Sequence, residues 1–179
     1  MIYTKQMSIE NQTAINFDME AGAWRSINDG VMGGCSAGGM LQSEEGLRFT
    51  GELSLENNGG FSSVRRPVEQ DLSGTSSVTL EVRGDGREYQ FRIRQDSQFD
   101  GVAWRAMFNA ADEWQIIEIA LRDFIPVFRG KNVTDAGPVI ASGIQQIGFL
   151  LADKAAGGFA LEIRRIEFSG SQLELGHDR

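Results

Sequence analysis

Cysteine and histidine are nearly absent from this 179-residue chain, which has one of each, Cys35 and His177. A single cysteine excludes an internal disulfide and fits a reducing compartment, so a cytoplasmic location is expected. A single histidine in a polar tail leaves no credible base for a Ser/His or Cys/His pair. Two such residues also cannot supply the ligand set of a zinc site. Basic residues are outnumbered, and the net charge of −8 excludes a general nucleic-acid binder, whose affinity comes from neutralising phosphates. No apolar run approaches the ~20 residues that span a bilayer, so no direct membrane insertion is expected. The opening MIYTKQMSIENQ shows neither the basic-then-apolar order of a secretory signal nor the arginine-rich character of a transit peptide. Helical periodicity is missing too, since no stretch repeats its apolar residues every 3.6 positions.

What the chain has is a period of two. Leu47, Phe49, Gly51, Leu53 and Leu55 alternate with Arg48, Thr50, Glu52 and Ser54, and Val78, Leu80 and Val82 alternate with Thr79, Glu81 and Arg83. Tyr89, Phe91 and Ile93 alternate with Gln90, Arg92 and Arg94. Each run predicts a strand with one buried and one polar face. Phe159, Leu161 and Ile163 begin the same way, and the phase then shifts to Ile166 and Phe168, which predicts a bulge. WRAMF, WQIIEIAL and IQQIGFLL read as further strands. The last two are partly apolar on both faces and are expected in central positions. Asn58-Gly59-Gly60 marks a turn, and Gly84-Asp85-Gly86 reads as a tight hairpin. Many short strands without helices predict an all-β sandwich or barrel. The length suits a single domain over 1–179, with its core at about 15–169. The polar ends, 1–12 and 170–179, are expected to fray.

Three features could carry function. The first is the glycine-rich segment NDGVMGGCSAGG at 28–39. It lacks the Gly-Lys-Ser/Thr ending of a phosphate loop, and GDGREY joins strand to strand, unlike a dinucleotide fingerprint. Asn28 and Asp29 are placed to satisfy loop amides, and Met32 to plug the sandwich end or to offer an adaptable contact. Cys35 reads as a small packing residue, and the loop is expected to lie beside Asn57-Asn58-Gly59-Gly60.

The second feature is arginine. The chain has 14 arginines against Lys5, Lys131 and Lys154, and arginine's planar fork suits interfaces and anion recognition. Outward-facing Arg65, Arg83, Arg92, Arg94 and Arg105 are candidates for one binding face, balanced by Glu52 and Glu81, or else for cross-strand ion pairs on a solvated surface. The third is the segment Phe124-Ile-Pro-Val-Phe128-Arg129-Gly130. It could cover a sheet edge or expose an apolar patch, with Arg129 supplying a bidentate contact. Trp24, Trp104 and Trp114 read as core anchors rather than stacking platforms. Carboxylate-pair hydrolysis needs two acids held ~5–9 Å apart, and no spacing singles out a pair. Asp18, Asp153 and Glu167 could serve a structural calcium ion, although ordinary surface acids are the simpler reading.

Several motifs together carry a family resemblance: WRSINDGVMGGCS from Trp24, FTGELSLENNGGFSSVR from Phe49, RGDGREYQFRIR from Arg83, WQIIEIALRDFIPVFRG from Trp114 and IGFLLADKAAGGFALEI from Ile147. From about Phe17 to Phe168 the chain resembles the complex I intermediate-associated protein 30 family. The resemblance implies a galactose-binding-like jelly-roll sandwich, similar to family 11 carbohydrate-binding modules. Mitochondrial members of the family are assembly factors for respiratory complex I. The chain looks like a free-standing bacterial form without a fused nucleotide-binding domain. The expected protein is therefore a non-catalytic binding domain without cofactor or metal. It would take a protein partner, with complex I subunits as the implied class, through Asn28, Asp29, Met32, Asn57, Asn58, Arg65, Arg83, Arg92, Arg94 and Arg129. The alternative is a carbohydrate or small polar ligand on the concave sheet face.

Overall fold

Alternation writes the sandwich. Leu47, Phe49 and Leu53 are buried while Arg48 and Glu52 are exposed, and Tyr89, Phe91 and Ile93 are fully buried while Arg92 and Arg94 are not. A computed structural model describes residues 11–172, without the side chains of Asn11, Val31, Met32, Ser171 and Gln172. It contains thirteen strands and five short 3-10 turns. The strands are β1 (Asn11–Asn16), β2 (Arg25–Asn28), β3 (Ala37–Gln42), β4 (Leu47–Leu53), β5 (Ser62–Pro67), β6 (Ser77–Arg83) and β7 (Glu88–Arg94). They continue with β8 (Ala103–Asn109), β9 (Gln115–Ala120), β10 (Ile125–Phe128), β11 (Lys131–Asn132), β12 (Gln146–Leu151) and β13 (Gly157–Gln172). Sheet A has the order β3-β4-β13-β6-β9, with β1 also paired to β13; sheet B runs β11-β10-β8-β7-β12-β5-β2.

The inward faces of the two sheets close one core. Phe49, Phe159, Phe168 and Leu161 from sheet A meet Tyr89, Phe91, Phe149 and Ile147 from sheet B. Aromatic pairs cross between the layers, such as Phe49 with Tyr89 at 6.2 Å and Phe91 with Phe168 at 6.4 Å between centroids. Among the described residues, no helix is long and apolar enough to cross a membrane.

The bulge expected in β13 is present, as a register shift between Ile163 and Arg165. Three expectations are corrected. β9 is an edge strand and not a central one; its apolar character includes Ile116, which is 65% exposed. Gly84-Asp85-Gly86 is not a hairpin. It carries the chain from β6 in sheet A to β7 in sheet B, and Asp85 pins the crossing by accepting from the Tyr89 hydroxyl and the Ala160 amide. Fraying does not extend to residues 11–12 and 170–172, because β1 and the end of β13 pair in register from Asn11↔Gln172 to Asn16↔Glu167. The rest of both tails, including His177, lies outside the described residues.

Candidate functional site

Register brings the arginines together. Arg25 pairs with Arg65 across β2 and β5, Arg65 and Arg92 both pair with Gly148 of β12, and Arg92 pairs with Arg105 of β8, which in turn faces Ile125 of β10. Directly opposed residues share a sheet face. Since Phe91, Ile93 and Phe149 fill the core, this row lies on the side of sheet B turned away from it. Arg94 lies two residues from Arg92 on the same face. A shallow depression sits here, lined by Arg65, Arg92, Arg94, Gln146, Gly148 and Leu150 with Ser63.

The loop from Gln95 to Val102 walls one end. The Gln146 amide donates to the Asp96 and Gln98 carbonyls, Arg94 donates to the Gly101 carbonyl at 2.9 Å, and Arg65 donates to the Phe99 carbonyl at 2.8 Å. The Arg65 guanidinium also lies 5.5 Å from the exposed Phe99 ring. Arg92 donates to Gln90 at 2.9 Å. Among the described residues, no carboxylate comes within ion-pair distance of Arg25, Arg65, Arg92, Arg94 or Arg105. Burial, then the charge of Arg94, then that of Arg25, pulls the Arg65 guanidinium down to about 10. Burial, followed by Arg94, Arg105 and Arg65, pulls Arg92 down to about 10 as well. Burial lowers Arg94 as well, and the charges of Asp96 and Asp100 partly oppose that shift.

The remaining candidates fall elsewhere. Arg83 belongs to sheet A, on the opposite surface of the molecule. It donates to Glu162 at 2.5 Å, and Arg48 donates to the same carboxylate at 2.7 Å. Glu81 is held there by Arg164, and Glu52 lies on β4 of the same sheet, so neither balances the sheet B row. Trp24 and Trp104 are buried as expected. Trp114 is only half-buried: it lies under two cations of sheet A, Arg83 at 4.8 Å and Arg164 at 4.1 Å. Phe124–Arg129 is not a loose connection: Ile125–Phe128 is itself strand β10, which pairs along the edge of β8 and leaves Ile125 and Phe128 exposed. Arg129 is engaged by Asp100 at 2.8 Å.

The two glycine-rich loops do meet. A Cβ on Gly59 would lie 3.0 Å from Gly34 Cα and 2.6 Å from Asp29 Oδ2, so only glycine fits there. Asp29 is 1% exposed and joins the loops. It accepts from the Ser36 amide at 2.8 Å, the Ser36 hydroxyl at 2.6 Å, the Gly60 amide at 2.7 Å and the Phe61 amide at 3.2 Å. Burial alone would raise its pKa, but the hydrogen bonds from Ser36, Gly60 and Phe61 outweigh that and hold it below the usual carboxylate range. Asn28 links the Gly38 carbonyl and the Ser62 hydroxyl. Asn57 and Asn58 are exposed and adopt positive φ. Cys35 is also exposed rather than packed, 3.7 Å from the Asn57 amide. The Met32 side chain lies outside the described residues. Asp18, Asp153 and Glu167 are not gathered for calcium; each faces an arginine, Arg66, Arg87 and Arg165 respectively.

Sequence reasoning missed Arg25 and Gly148. The W-R-S-I run hinted at Arg25 facing away from Trp24; Gly148 offers no local signal, since its importance lies in the two arginines that flank it across different strands.

Two antiparallel sheets in this order define a jelly-roll β-sandwich domain. The chain belongs to the Complex I intermediate-associated protein 30 (CIA30) family, whose pattern matches residues 11–163. It is 33% identical to the mitochondrial complex I intermediate-associated protein 30 of Mus musculus over 106 residues, covering 56% of this chain and 32% of the mouse protein. It is 24% identical to the Drosophila melanogaster mitochondrial protein of that name over 139 residues, covering 73% of this chain and 46% of that one. The chain thus spans less than half the length of the curated relatives it matches. Among solved structures, it resembles the family 11 carbohydrate-binding module of the Clostridium thermocellum cellulase Lic26A-Cel5E at a TM-score of 0.66, with 17% identity and coverage of 91% and 96%. It also resembles the xylan-binding module CBM15 at a TM-score of 0.52, with 12% identity and coverage of 89% and 97%.

These relatives overturn the cytoplasmic placement. They are named as mitochondrial proteins in mouse, fly and Neurospora crassa. A lone cysteine cannot form an internal disulfide in any compartment, so it does not single out the cytoplasm. The relatives are also eukaryotic, and lend no support to a bacterial source.

Proposed function

We propose that this domain is a non-catalytic docking module in the assembly of respiratory complex I, and that it holds a protein partner on the outer face of sheet B. One observation carries this reading. Five arginines lie on that face with no carboxylate partner among the described residues, bordered by exposed apolar side chains: Met107 at 47%, Ile125 at 47% and Phe99 at 52%. Exposed apolar groups with arginine at their border are what a protein interface presents. The family name, and the names of the mouse and fly proteins, point to complex I intermediates as the partner class.

The fold likeness to carbohydrate-binding modules keeps a sugar reading in view. Aromatic rings exposed along a groove would favour that reading, but the sheet B row is made of arginine forks, with Trp104 buried beneath and the exposed Phe99 ring at its end. The test is affinity capture of the tagged chain from its native cell, compared with Arg65→Glu/Arg92→Glu. Recovery of complex I subunits that the double variant loses supports docking. Equal recovery by both proteins, or no subunit recovery with saturable binding of a mixed-linked glucan tetrasaccharide, overturns it.

A further inference from the structure

We propose that the gap over Gly148 is a carboxylate slot, which takes an aspartate or glutamate side chain from an acidic, partly apolar segment of the partner polypeptide. This rests on sheet B being the docking face. Arg65 and Arg92 flank Gly148 on either side, both in register with it. With strands ~4.8 Å apart, the two arginines start roughly 10 Å from each other, a span that long side chains close around one small group. The floor is glycine by necessity: a Cβ there would lie 2.6 Å from the Val64 carbonyl oxygen and 3.3 Å from Arg65 Cβ. Any side chain would fill the gap that the arginines border.

The donors are available. A guanidinium has five N–H groups. Arg65 commits NH1 to the Phe99 carbonyl, Arg92 commits Nε to Gln90, and Arg94 commits NH1 to the Gly101 carbonyl. Their other N–H groups find no acceptor among the described residues. These tethers hold the guanidinium groups in place, which reduces the ordering cost of binding. Three like charges crowded into a half-buried depression are mutually repulsive, and an inserted carboxylate offsets that repulsion while accepting forked hydrogen bonds. Asp96 and Asp100 exert some opposing field, but Asp100 is occupied by Arg129. The exposed apolar groups on either side, Phe99 beside Arg65 and Met107 with Ile125 beside Arg105, favour a polypeptide over a free anion. A mobile ion gains nothing from them, whereas apolar neighbours of an acidic residue do.

The experiment titrates the full chain with a short peptide carrying glutamates among leucines, and with its glutamine counterpart, by calorimetry at low salt. Arg92→Met and Arg65→Met serve as slot variants and Arg83→Met as the opposite-face control, each checked by thermal melting. The glutamate peptide is expected to bind and the glutamine peptide not. Losing a charged hydrogen-bond pair should weaken binding about tenfold or more in either slot variant, with Arg83→Met unchanged. If Arg92→Met melts early, Arg92→Lys, which keeps the charge and loses the fork, should still bind more weakly than wild type.

Equal binding of the two peptides, or equal binding by Arg92→Met and wild type, overturns the slot. Inorganic phosphate displacing the peptide at equal concentration also overturns it, in favour of a general oxyanion site. Self-association that disappears in Arg92→Met would overturn it in favour of a second copy as occupant. Slot failure with intact arginine-dependent capture leaves the docking role standing; a working slot with capture that ignores Arg65→Glu/Arg92→Glu removes the docking role alone.

Discussion

On the outer face of sheet A, Arg48 and Arg83 share Glu162, Arg164 bridges Glu45 and Glu81, and Arg165 faces Glu167. On the outer face of sheet B, Arg25, Arg65, Arg92, Arg94 and Arg105 adjoin one another with no carboxylate in ion-pair reach among the described residues. The same residue type on the same kind of surface thus meets two fates. Sheet A neutralises its own charge: each of these arginines has a glutamate partner, and Arg83 and Arg164 also lie over the Trp114 ring. Sheet B leaves positive charge unanswered inside a depression, on a chain that is acidic as a whole. An internally satisfied face is a scaffold; an unsatisfied one is where an external anion lowers the free energy most.

The largest expected effect comes from a residue on neither face, and it fixes the scale for both. Asp29→Ala strips a carboxylate from four hydrogen bonds and leaves the Gly60, Phe61 and Ser36 amides without their acceptor. A loss of about 3 kcal/mol or more in chemical denaturation is expected. Because the folded pKa of Asp29 is lowered, its stabilisation is complete above the unfolded value of about 3.9 and is lost as pH falls through the folded value. The acid limb of wild-type stability should therefore be shallower in the variant. Peptide binding per folded molecule should not change; if it falls with stability, the loop end belongs to the site.

Glu162→Gln comes next and tests sheet A. Hydrogen bonds from Arg48, then Arg83, hold the Glu162 carboxylate below its ordinary range. Its loss should cost about 1–2 kcal/mol, moderated by the exposure of both arginines. The effect should vanish as pH falls through the lowered folded pKa. No change in denaturant midpoint would mean that the pairs of Glu162 with Arg48 and Arg83 contribute nothing, and the contrast between faces would weaken.

Much of this architecture was legible, for reasons local to each strand. Alternation showed Arg92 and Arg94 turning away from Phe91 and Ile93 because adjacent side chains must point to opposite faces. It could not show which sheet they decorate. Arg83 obeys the same alternation and lands on the opposite surface, because Gly84–Gly86 crosses between sheets and a short glycine turn looks alike in a hairpin and a crossing. β9 misled for a related reason: Ile116 is apolar but sits on an edge strand, where exposure and not burial is the outcome. Asp29 was legible in part, since an Asn-Asp pair before a glycine run signals loop amides to be satisfied. Gly148 was not legible at all. Its role exists only in the register that sets β12 between β5 and β7.

Arg92→Met turns the contrast into a stability measurement. A half-buried cation with cationic neighbours has a lowered folded pKa, about 10 for Arg92. The unfolded chain then holds that proton more tightly than the folded one, so the charge opposes folding at neutral pH and the penalty fades only as pH rises above that value. Replacing it with a neutral chain of similar reach should raise stability by about 1 kcal/mol, seen as a higher melting temperature alongside weaker peptide binding. The same change at Arg83 should lower stability, because it breaks the pair with Glu162.

The smallest effect is the sharpest probe of how far the sheet B field extends. Arg129 is 71% exposed in its side chain and occupies Asp100. Arg129→Ala removes one exposed ion pair, so the change in stability should stay within about 0.5 kcal/mol. It also frees the Asp100 carboxylate, which already acts on Arg65 and Arg94 through its charge. A freed Asp100 offsets part of the unanswered positive charge and competes with an incoming glutamate. Peptide affinity should therefore fall by about twofold, and the fall should disappear at high salt, where exposed charges are screened. Unchanged affinity at low salt would confine the attraction to Arg65, Arg92 and Arg94 at the slot. A larger drop would mean that Asp100 is the internal counter-charge of sheet B, and that the two faces differ in degree only.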